Sequence, residues 1–291
     1  MDDRQLALSL VLVAMVFSVA LELRLQDFRR VLETPRAIVA GLIPQFLLLP
    51  VASWLATLVL DLPADIEAAM LLVAACPGGS LSNVVTHLGG GDTALSVSLS
   101  AVAGVAALVL TPFNFSWMVA TNPATADWLR ELAIAPSEIA FSLLVLLAAP
   151  MLAGIAVAHR APAFAARLRR PLARASLVAL FAFIVVGLYR DRALLDSSLL
   201  PLLAIVIAQN GAGLSLGDLC ARAFRLPPRA RRAIVIEAGM QNSGLALGII
   251  ALQFGGDLGM VVIASLWGIW HIVTGLGLAF LWRRHDVRHG L

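Results

Sequence analysis

The sequence predicts an all-α integral membrane protein of about nine transmembrane helices. Hydrophobic residues make up 60% of the 291 residues and charged residues only 13%, whereas charged residues make up about a quarter of a typical soluble domain. The apolar residues also occur in repeated runs of the roughly 20 residues that a helix needs to cross a bilayer. We therefore expect a single membrane domain that covers residues 1–291.

The apolar runs place the nine predicted spans and leave short segments between them. Their approximate bounds are residues 5–22, 36–60, 66–88, 92–118, 135–158, 173–189, 195–217, 231–253 and 258–282. The first run follows an acidic start, MDDRQ, and no small-residue cleavage site follows it. We therefore interpret that run as a retained helix and not as a signal peptide.

The arginine distribution predicts the orientation of the chain. All 21 basic residues are Arg, and 17 of them lie in the first, fifth and seventh loops and the C-terminal tail. Nine spans would place these four regions on one side, and cytoplasmic segments carry an excess of positive charge. We expect a multi-pass protein of the cell (inner) membrane with its N-terminus outside and its C-terminus in the cytoplasm. Arginines that act as topology signals also leave no reason to expect a nucleic-acid partner.

Two of the predicted spans are interrupted near their middle. The interruptions are CPGGS at residues 76–80 and QNSG at residues 241–244. The separation of Gly78 from Asn242 equals that of Gln45 from Gln209. This common offset corresponds to a shift of five spans, which reverses the direction through the membrane. Spans 1–4 and 6–9 are therefore predicted to be inverted repeats, with span 5 unpaired. Inverted repeats with broken helices at the midplane are typical of secondary transporters.

Glu237 is predicted to be the central polar residue, because it lies within the eighth span, about one turn before the break. An ionised carboxylate at the bilayer centre costs roughly 2.5–3.5 kcal/mol on insertion scales, so such residues usually face a cavity and hold a cation or a proton. The alternative is an interfacial glutamate paired with Arg. The polar residues Gln241, Asn242 and Ser243 that follow directly favour the buried site.

The other polar residues within the predicted spans each have two interpretations. Ser80 can cap a second half-helix, whose free N–H groups suit an anionic ligand, unless the break is a simple proline kink. Ser96 and Ser100 share one helix face and offer hydroxyl ligands for Na⁺, although membrane serines often only join helices. Gln45 and His271 can be packed, hydrogen-bonded residues or ligands.

Two stretches in combination resemble the bile acid:sodium symporter family. They are CPGGSLSNVVTHLGGGDTALSVSLS at residues 76–100 and EAGMQNSGLALG at residues 237–248. The resemblance implies two broken helices that cross in a core domain, formed by spans at 36–118 and 195–282, beside a panel domain, formed by spans at 5–22 and 135–189. Bacterial-type members often have ten helices, so the chain is expected to lack the first, which leaves span 5 unpaired.

The resemblance also implies two Na⁺ sites and a substrate crevice beside the crossing. The matches to the first site are Ser82, Asn83, Ser96, Ser100 and Glu237. The matches to the second site are the side chains of Gln45, Glu237 and Gln241 and the carbonyls of Ala238 and Met240. The matches to positions that line the crevice are Ser80, Asn242 and His271.

These expectations combine into one hypothesis, a secondary transporter and not an enzyme. It would couple Na⁺ to symport of a small organic anion by alternating access, with the lipid bilayer as its surroundings. A bile acid, a pantoate-like hydroxy acid and a keto acid all fit, because no Arg lies near the predicted crossing and the anion would be held by helix termini and amides.

Two alternatives remain from the sequence. An arsenite-type efflux carrier of related fold would give a role to Cys76, although CPGG and QNSG fit the symporters better. An intramembrane serine hydrolase would need Ser80 or Ser82 within hydrogen-bond reach of His271. A requirement of uptake for Na⁺ distinguishes the first alternative, and labelling by a fluorophosphonate distinguishes the second.

Overall fold

The computed structural model describes residues 3–21, 33–79, 81–133, 135–190 and 199–289, which form twelve helices and no β-strand. In chain order the helices are α1 Asp3–Ala20, α2 Pro35–Leu60, α3 Ala64–Ala75, α4 Leu81–Leu88, α5 Thr93–Thr121, α6 Pro123–Glu131, α7 Pro136–Arg160, α8 Pro162–Arg190, α9 Leu199–Ala223, α10 Pro228–Gly239, α11 Ser243–Gln253 and α12 Leu258–His289. Among these, α2, α5, α7, α9 and α12 are long and apolar enough to cross a membrane. The all-α membrane class is therefore confirmed, while the number of crossings stays a prediction.

Within the described residues the predicted spans coincide with the helices, with two helices each for spans 3 and 8, and the differences lie at helix ends. Residue 22 of span 1 and residues 195–198 of span 7 lie outside the described residues. α8 begins at Pro162 instead of residue 173, and α12 continues to His289 instead of residue 282. Both extensions are rich in Arg, which is a good helix former, so the helix continues where the apolar run does not. The short helix α6 lies between predicted spans 4 and 5. The side chain of Asn122 caps it by accepting a hydrogen bond from the Thr125 N–H at 3.2 Å.

α3 forms the centre of the protein. Every residue from Ile66 to Ala75 is buried, which is expected of a helix that is apolar on all sides and surrounded by other helices. α3 packs against α12 on one side and against α5 on another. Its buried side chains join those of α1, α7 and α11 in the largest hydrophobic cluster, which includes Trp267, Phe115 and Leu12. This packing holds the C-terminal end of α3 in the interior.

The helices repeat with the offset predicted from the polar residues. α2 and α9 begin at Pro35 and Leu199, whose separation equals that of Gln45 from Gln209. α3 and α10 end at Ala75 and Gly239, again with the same separation. The segments that follow these two ends run antiparallel to each other, because they pair in an antiparallel bridge. Equivalent segments therefore run in opposite directions at this point, as inverted repeats require.

In each repeat a polar contact also links the start of the half-helix before the break, α3 or α10, to the C-terminal end of the long helix, α5 or α12. In the first repeat the buried carboxylate of Glu67 accepts hydrogen bonds from Asn122 Nδ2 at 2.7 Å and from the Leu62 N–H at 3.0 Å. In the second, both terminal nitrogens of Arg232 donate to Asp286, each at 2.6 Å. Asn122 and Asp286 are equivalent positions, since their separation is the repeat offset. We call these two interactions the anchoring contacts.

We expect Asn122→Ala to destabilise the fold, because it leaves a carboxylate oxygen of Glu67 without its donor and removes the cap of α6. Loss of a partner by a buried polar group costs about 1–3 kcal/mol, so the midpoint of thermal unfolding in detergent should fall by about 3–10 °C. Ser215→Ala, at an exposed hydroxyl that bonds only within its own helix, is the control. Equal midpoints for the two variants would show that the contact does not contribute.

The predicted orientation can be tested at two exposed positions. Asp127 lies in α6 and Ala166 in α8, while the native Cys76 and Cys220 are both buried and should label slowly. A membrane-impermeant maleimide should label Asp127→Cys in intact cells and Ala166→Cys only after permeabilisation. The opposite pattern would contradict the nine-span arrangement.

Candidate functional site

The two chain breaks meet and pair through their backbones. Gly78 lies opposite Gln241 in the antiparallel bridge. The hydrogen bonds run from the Gly79 N–H to the Met240 carbonyl at 3.2 Å and from the Asn242 N–H to the Pro77 carbonyl at 2.7 Å. Backbone groups that leave a helix inside a membrane need such partners, because no bulk water is available there. We call this paired region the crossing.

Local sequence explains why the first helix breaks here. Cys76 is extended, with φ −72° and ψ 151°, which is the conformation that a following proline favours. Gly78 has to lack a side chain, because a Cβ atom would stand 2.7 Å from Glu237 Oε1 and 2.9 Å from Gln45 Nε2. The backbone of the crossing therefore lies directly against the carboxylate and the amide that were predicted as ligands.

Glu237 is completely buried and is surrounded by hydroxyl groups. Its Oε2 accepts hydrogen bonds from Ser82 Oγ at 2.7 Å and Ser96 Oγ at 3.1 Å, and its Oε1 accepts one from Ser100 Oγ at 2.5 Å. The Oδ1 of Asn83 lies 2.8 Å from Ser96 Oγ and 3.3 Å from Ser100 Oγ, as a second acceptor within reach of each hydroxyl proton. α4, α5 and α10 thus bring together all five residues of the first predicted set, which we call the Glu237 cluster.

Thr86 adjoins this cluster and was missed by the sequence analysis. Its buried hydroxyl lies 3.4 Å from Ser96 Oγ. The signal was present in the sequence, because Thr86 stands four residues after Ser82 and therefore on the same face of α4. Thr86 thus adds a fifth neutral side-chain oxygen atom to the four that Ser82, Asn83, Ser96 and Ser100 supply around Glu237.

In the second predicted set, Gln45 also lies close to Glu237, and the amide groups of the set are largely unpaired. Gln45 is fully buried, and neither its oxygen nor its nitrogen has a hydrogen-bond partner among the described residues. Gln241 donates to the Ala238 carbonyl at 3.2 Å, and its own Oε1 likewise has no partner in the described part of the chain. The carbonyl of Met240 accepts the Gly79 N–H within the crossing. Carboxylate, amide and carbonyl oxygens are the ligands of hard cations, so these residues fit Na⁺.

The position of Gln45 depends on an irregular turn in α2. Residues Pro44–Leu48 form a π-helical segment, in which the Leu49 N–H bonds to the Pro44 carbonyl. Such segments are frequent at functional sites. Gln209, the equivalent residue of the second repeat, instead donates to Ser53 Oγ at 2.8 Å and to the Met70 carbonyl at 2.9 Å, and so joins helices.

A crevice opens beside the crossing, with a volume of about 850 Å³ that includes the space at its mouth. Its polar surface comes from Gly78, Asn83, Ser100 and Asn242, and none of the described residues that line it is charged. Asn242 also caps α11, since its Oδ1 accepts the Leu245 N–H at 3.0 Å. Asn83 and Ser100 belong both to the crevice and to the Glu237 cluster, so the two sites are in direct contact.

The remaining predicted substrate residues are placed differently. Ser80 lies outside the described residues. His271 is on α12, is 7% exposed and is not among the described residues that line the crevice, and its Nδ1 has no hydrogen-bond partner among them. On the same helix, Gly275 faces the sulfur atom of Met240, and Gly268 faces Ser243. The role of His271 as a substrate residue stays a prediction.

Comparison with known proteins identifies the family. The model of the sodium bile acid symporter family matches residues 9–197, well over half of the chain. The chain belongs to this family. Its members are transporters, so the predictions of a membrane transporter and of no enzymatic activity are confirmed.

Similar relatives occur in bacteria, plants and animals. An uncharacterised sodium-dependent transporter of Bacillus subtilis, YocS, is 30% identical over 95% of this chain and 83% of the relative. A probable chloroplastic sodium/metabolite cotransporter of Arabidopsis thaliana, BASS1, is 29% identical over 92% of this chain and 65% of the relative. The human ileal sodium/bile acid cotransporter is 28% identical over 85% of this chain and 69% of the relative.

Proposed function

We propose that this family member is a Na⁺-coupled symporter of a small organic anion. The observation that carries the proposal is the contact between the Glu237 cluster and the crevice through Asn83 and Ser100. An ion that orders these two side chains also orders part of the surface on which a substrate would bind. Because the two sites share these side chains, binding of the ion would change the affinity for the substrate, which is what thermodynamic coupling between two ligands requires.

Glu237 would serve two Na⁺ ions. One would bind among Ser82, Asn83, Ser96 and Ser100, whose oxygens surround the carboxylate. The other would bind among Gln45, Gln241 and the carbonyls of Ala238 and Met240, where three amide atoms lack partners in the described part of the chain. A monocarboxylate bound nearby would bring the second negative charge. Two Na⁺ with one such anion carry a net charge of +1, which gains about 2.3 kcal/mol per 100 mV of membrane potential.

The anion would bind in the crevice without help from a basic side chain. Its polar partners would be the side-chain N–H groups of Asn242 and the positive dipole end at the start of α11. The N–H groups of Ser243 and Leu245 already bond to Gln241 and Asn242 there. Ser80 and His271 remain further predicted contacts. Because the described lining residues include no Arg or His, the crevice suits a single carboxylate better than a multiply charged anion.

Alternating access would follow from movement of one group of helices against another. α1 packs against α7 and α8, and these three helices would form the panel domain. α2–α5 and α9–α12 would form the core domain, which holds the crossing. The crevice is lined by α1 and α7 on one side and by α5 and the crossing on the other, so rocking of the two domains would open it alternately to either side.

The alternatives gain no support from the site. Cys76, which an arsenite-type carrier would use, is fully buried within the largest hydrophobic cluster. Ser82, a candidate nucleophile of a hydrolase, donates to the Gly79 carbonyl and to Glu237. No hydrogen bond joins Ser82 to His271 in the part of the chain that the structure describes, and Ser80, the other candidate nucleophile, lies outside it.

Glu237→Gln should abolish Na⁺ binding, because the substitution keeps the shape of the side chain and removes the charge that both ions share. Calorimetric titration of the purified protein with Na⁺ measures this directly. Ser96→Ala and Gln45→Ala should each weaken one site only and reduce the cooperativity of the titration. Glu138→Gln, at an exposed carboxylate in the first turn of α7, is the matched control. Equal Na⁺ binding by wild type and Glu237→Gln would refute the mechanism.

Asn242→Ser separates substrate contact from helix capping, since serine also caps helices but lacks the amide donor. The ligand is the organic acid that gives the largest Na⁺-dependent thermal shift in a panel of bile, hydroxy and keto acids. We expect its affinity at saturating Na⁺ to fall about tenfold, the value of a charge-assisted hydrogen bond, with Na⁺ affinity unchanged. An unchanged affinity for the acid would show that Asn242 makes no contact with it.

A further inference from the structure

The apolar walls of the crevice differ in character. One wall belongs to α5 and presents the small residues Ala101, Gly104 and Ala107. The opposite wall presents Met15 from α1 and Met151 from α7, and methionine side chains adapt their shape to what they contact. The polar groups of the described lining lie at the other end, at the crossing. The crevice is therefore amphipathic, with a polar end and an apolar end.

Gly104 has no evident packing reason to be glycine. A Cβ atom at this position would meet only the terminal methyl of Met151, at an ordinary contact distance of 3.9 Å. By contrast, a Cβ at Gly154 would stand 2.5 Å from Ala20, and one at Gly248 would stand 2.4 Å from Leu12. Glycine inside a helix is less favourable than alanine. The space beside Gly104 is thus left to the crevice and is not needed for helix packing.

The spacing along α5 gives the length of the apolar end. Gly104 and Ala107 follow Ser100 by four and seven residues, which is about 6 and 10 Å along a helix axis. A carboxylate held near Ser100 and Asn242 would direct its hydrocarbon body along this wall. A body about 10 Å long would reach Ala107.

We infer that Gly104 determines substrate size, and that the wall of Ala101, Gly104 and Ala107 binds the hydrocarbon body of an amphipathic monocarboxylate. This inference rests on the proposed function, because it assigns the apolar part of the same crevice. The missing side chain at residue 104 leaves room for about one methyl group beside Met151. A ring or branched chain would therefore enter between α5 and Met151 as the flexible Met151 side chain moves aside. Short acids, which do not extend past the polar end, would not contact this wall.

The test compares two probes, 4-phenylbutanoate, which has a long apolar body, and 2-oxobutanoate, which has almost none. Their affinities are measured by calorimetry at saturating Na⁺, and Na⁺ binding is measured without acid. Gly104→Leu should weaken 4-phenylbutanoate at least tenfold, leave 2-oxobutanoate within twofold and leave Na⁺ binding unchanged. Gly104→Ala, whose methyl group fits without strain, should weaken 4-phenylbutanoate severalfold. Gly211→Leu, at a glycine in α9 with open space around it, is the control.

The outcomes separate this inference from the proposed function. Wild-type protein that binds 2-oxobutanoate but not 4-phenylbutanoate, or binds neither acid, would overturn the assigned substrate class. Equal loss of both acids, or loss of neither, in Gly104→Leu would overturn the size-determining role. If that variant does not fold, the ratio of the two affinities in Gly104→Ala decides, and an unchanged ratio overturns the inference. Acid binding that is independent of Na⁺ would instead overturn the proposed coupling.

Discussion

The negative charge of a carboxylate that has no contact with solvent has to be stabilised by the groups around it, and the arrangement around Glu237 follows from this constraint. Hydroxyl groups from α4 and α5 surround the carboxylate, and Gly78 brings the backbone of the first break against it. Each break in turn supplies the partner for backbone groups that the other leaves unpaired. The serines, the glycine and the two breaks thus form one unit, and a change to any of them disturbs the charge at its centre.

The sequence predicted well the features that depend on local spacing. Helix positions follow apolar runs, and the offset between Gln45 and Gln209 recurs in the helix bounds. The meeting of Ser100 and Glu237, which are far apart in the chain, came from family resemblance, because no local pattern encodes a contact across helices. Thr86 was overlooked although its spacing was visible. The placement of His271 depends on how α12 turns toward its neighbours, which a lone polar residue in an apolar helix does not reveal.

The two repeats have the same arrangement of helices, but the polar side chains at equivalent positions have different roles. Gln45 lies beside the carboxylate with both amide atoms unpaired among the described residues, whereas Gln209 joins α9 to Ser53 and Met70. Val73 stands where the offset would place a second acid. The first repeat therefore supplies most of the neutral oxygen atoms and the second supplies the charge. A symmetric framework with an asymmetric site concentrates the polar groups, with their desolvation cost, in one place.

The anchoring contacts have a mechanical consequence. α3 and α10 are each fixed at their start by Glu67 or Arg232 and at their other end by the crossing. Sliding of either half-helix would break a buried or partly buried polar contact, so we expect the bundle that holds them to behave as a stiff frame. Under the proposed mechanism, an ion held within such a frame would keep the same oxygen neighbours while the frame tilts. The aqueous compartment that reaches the ion would then change during a cycle, and the ligand geometry would stay constant.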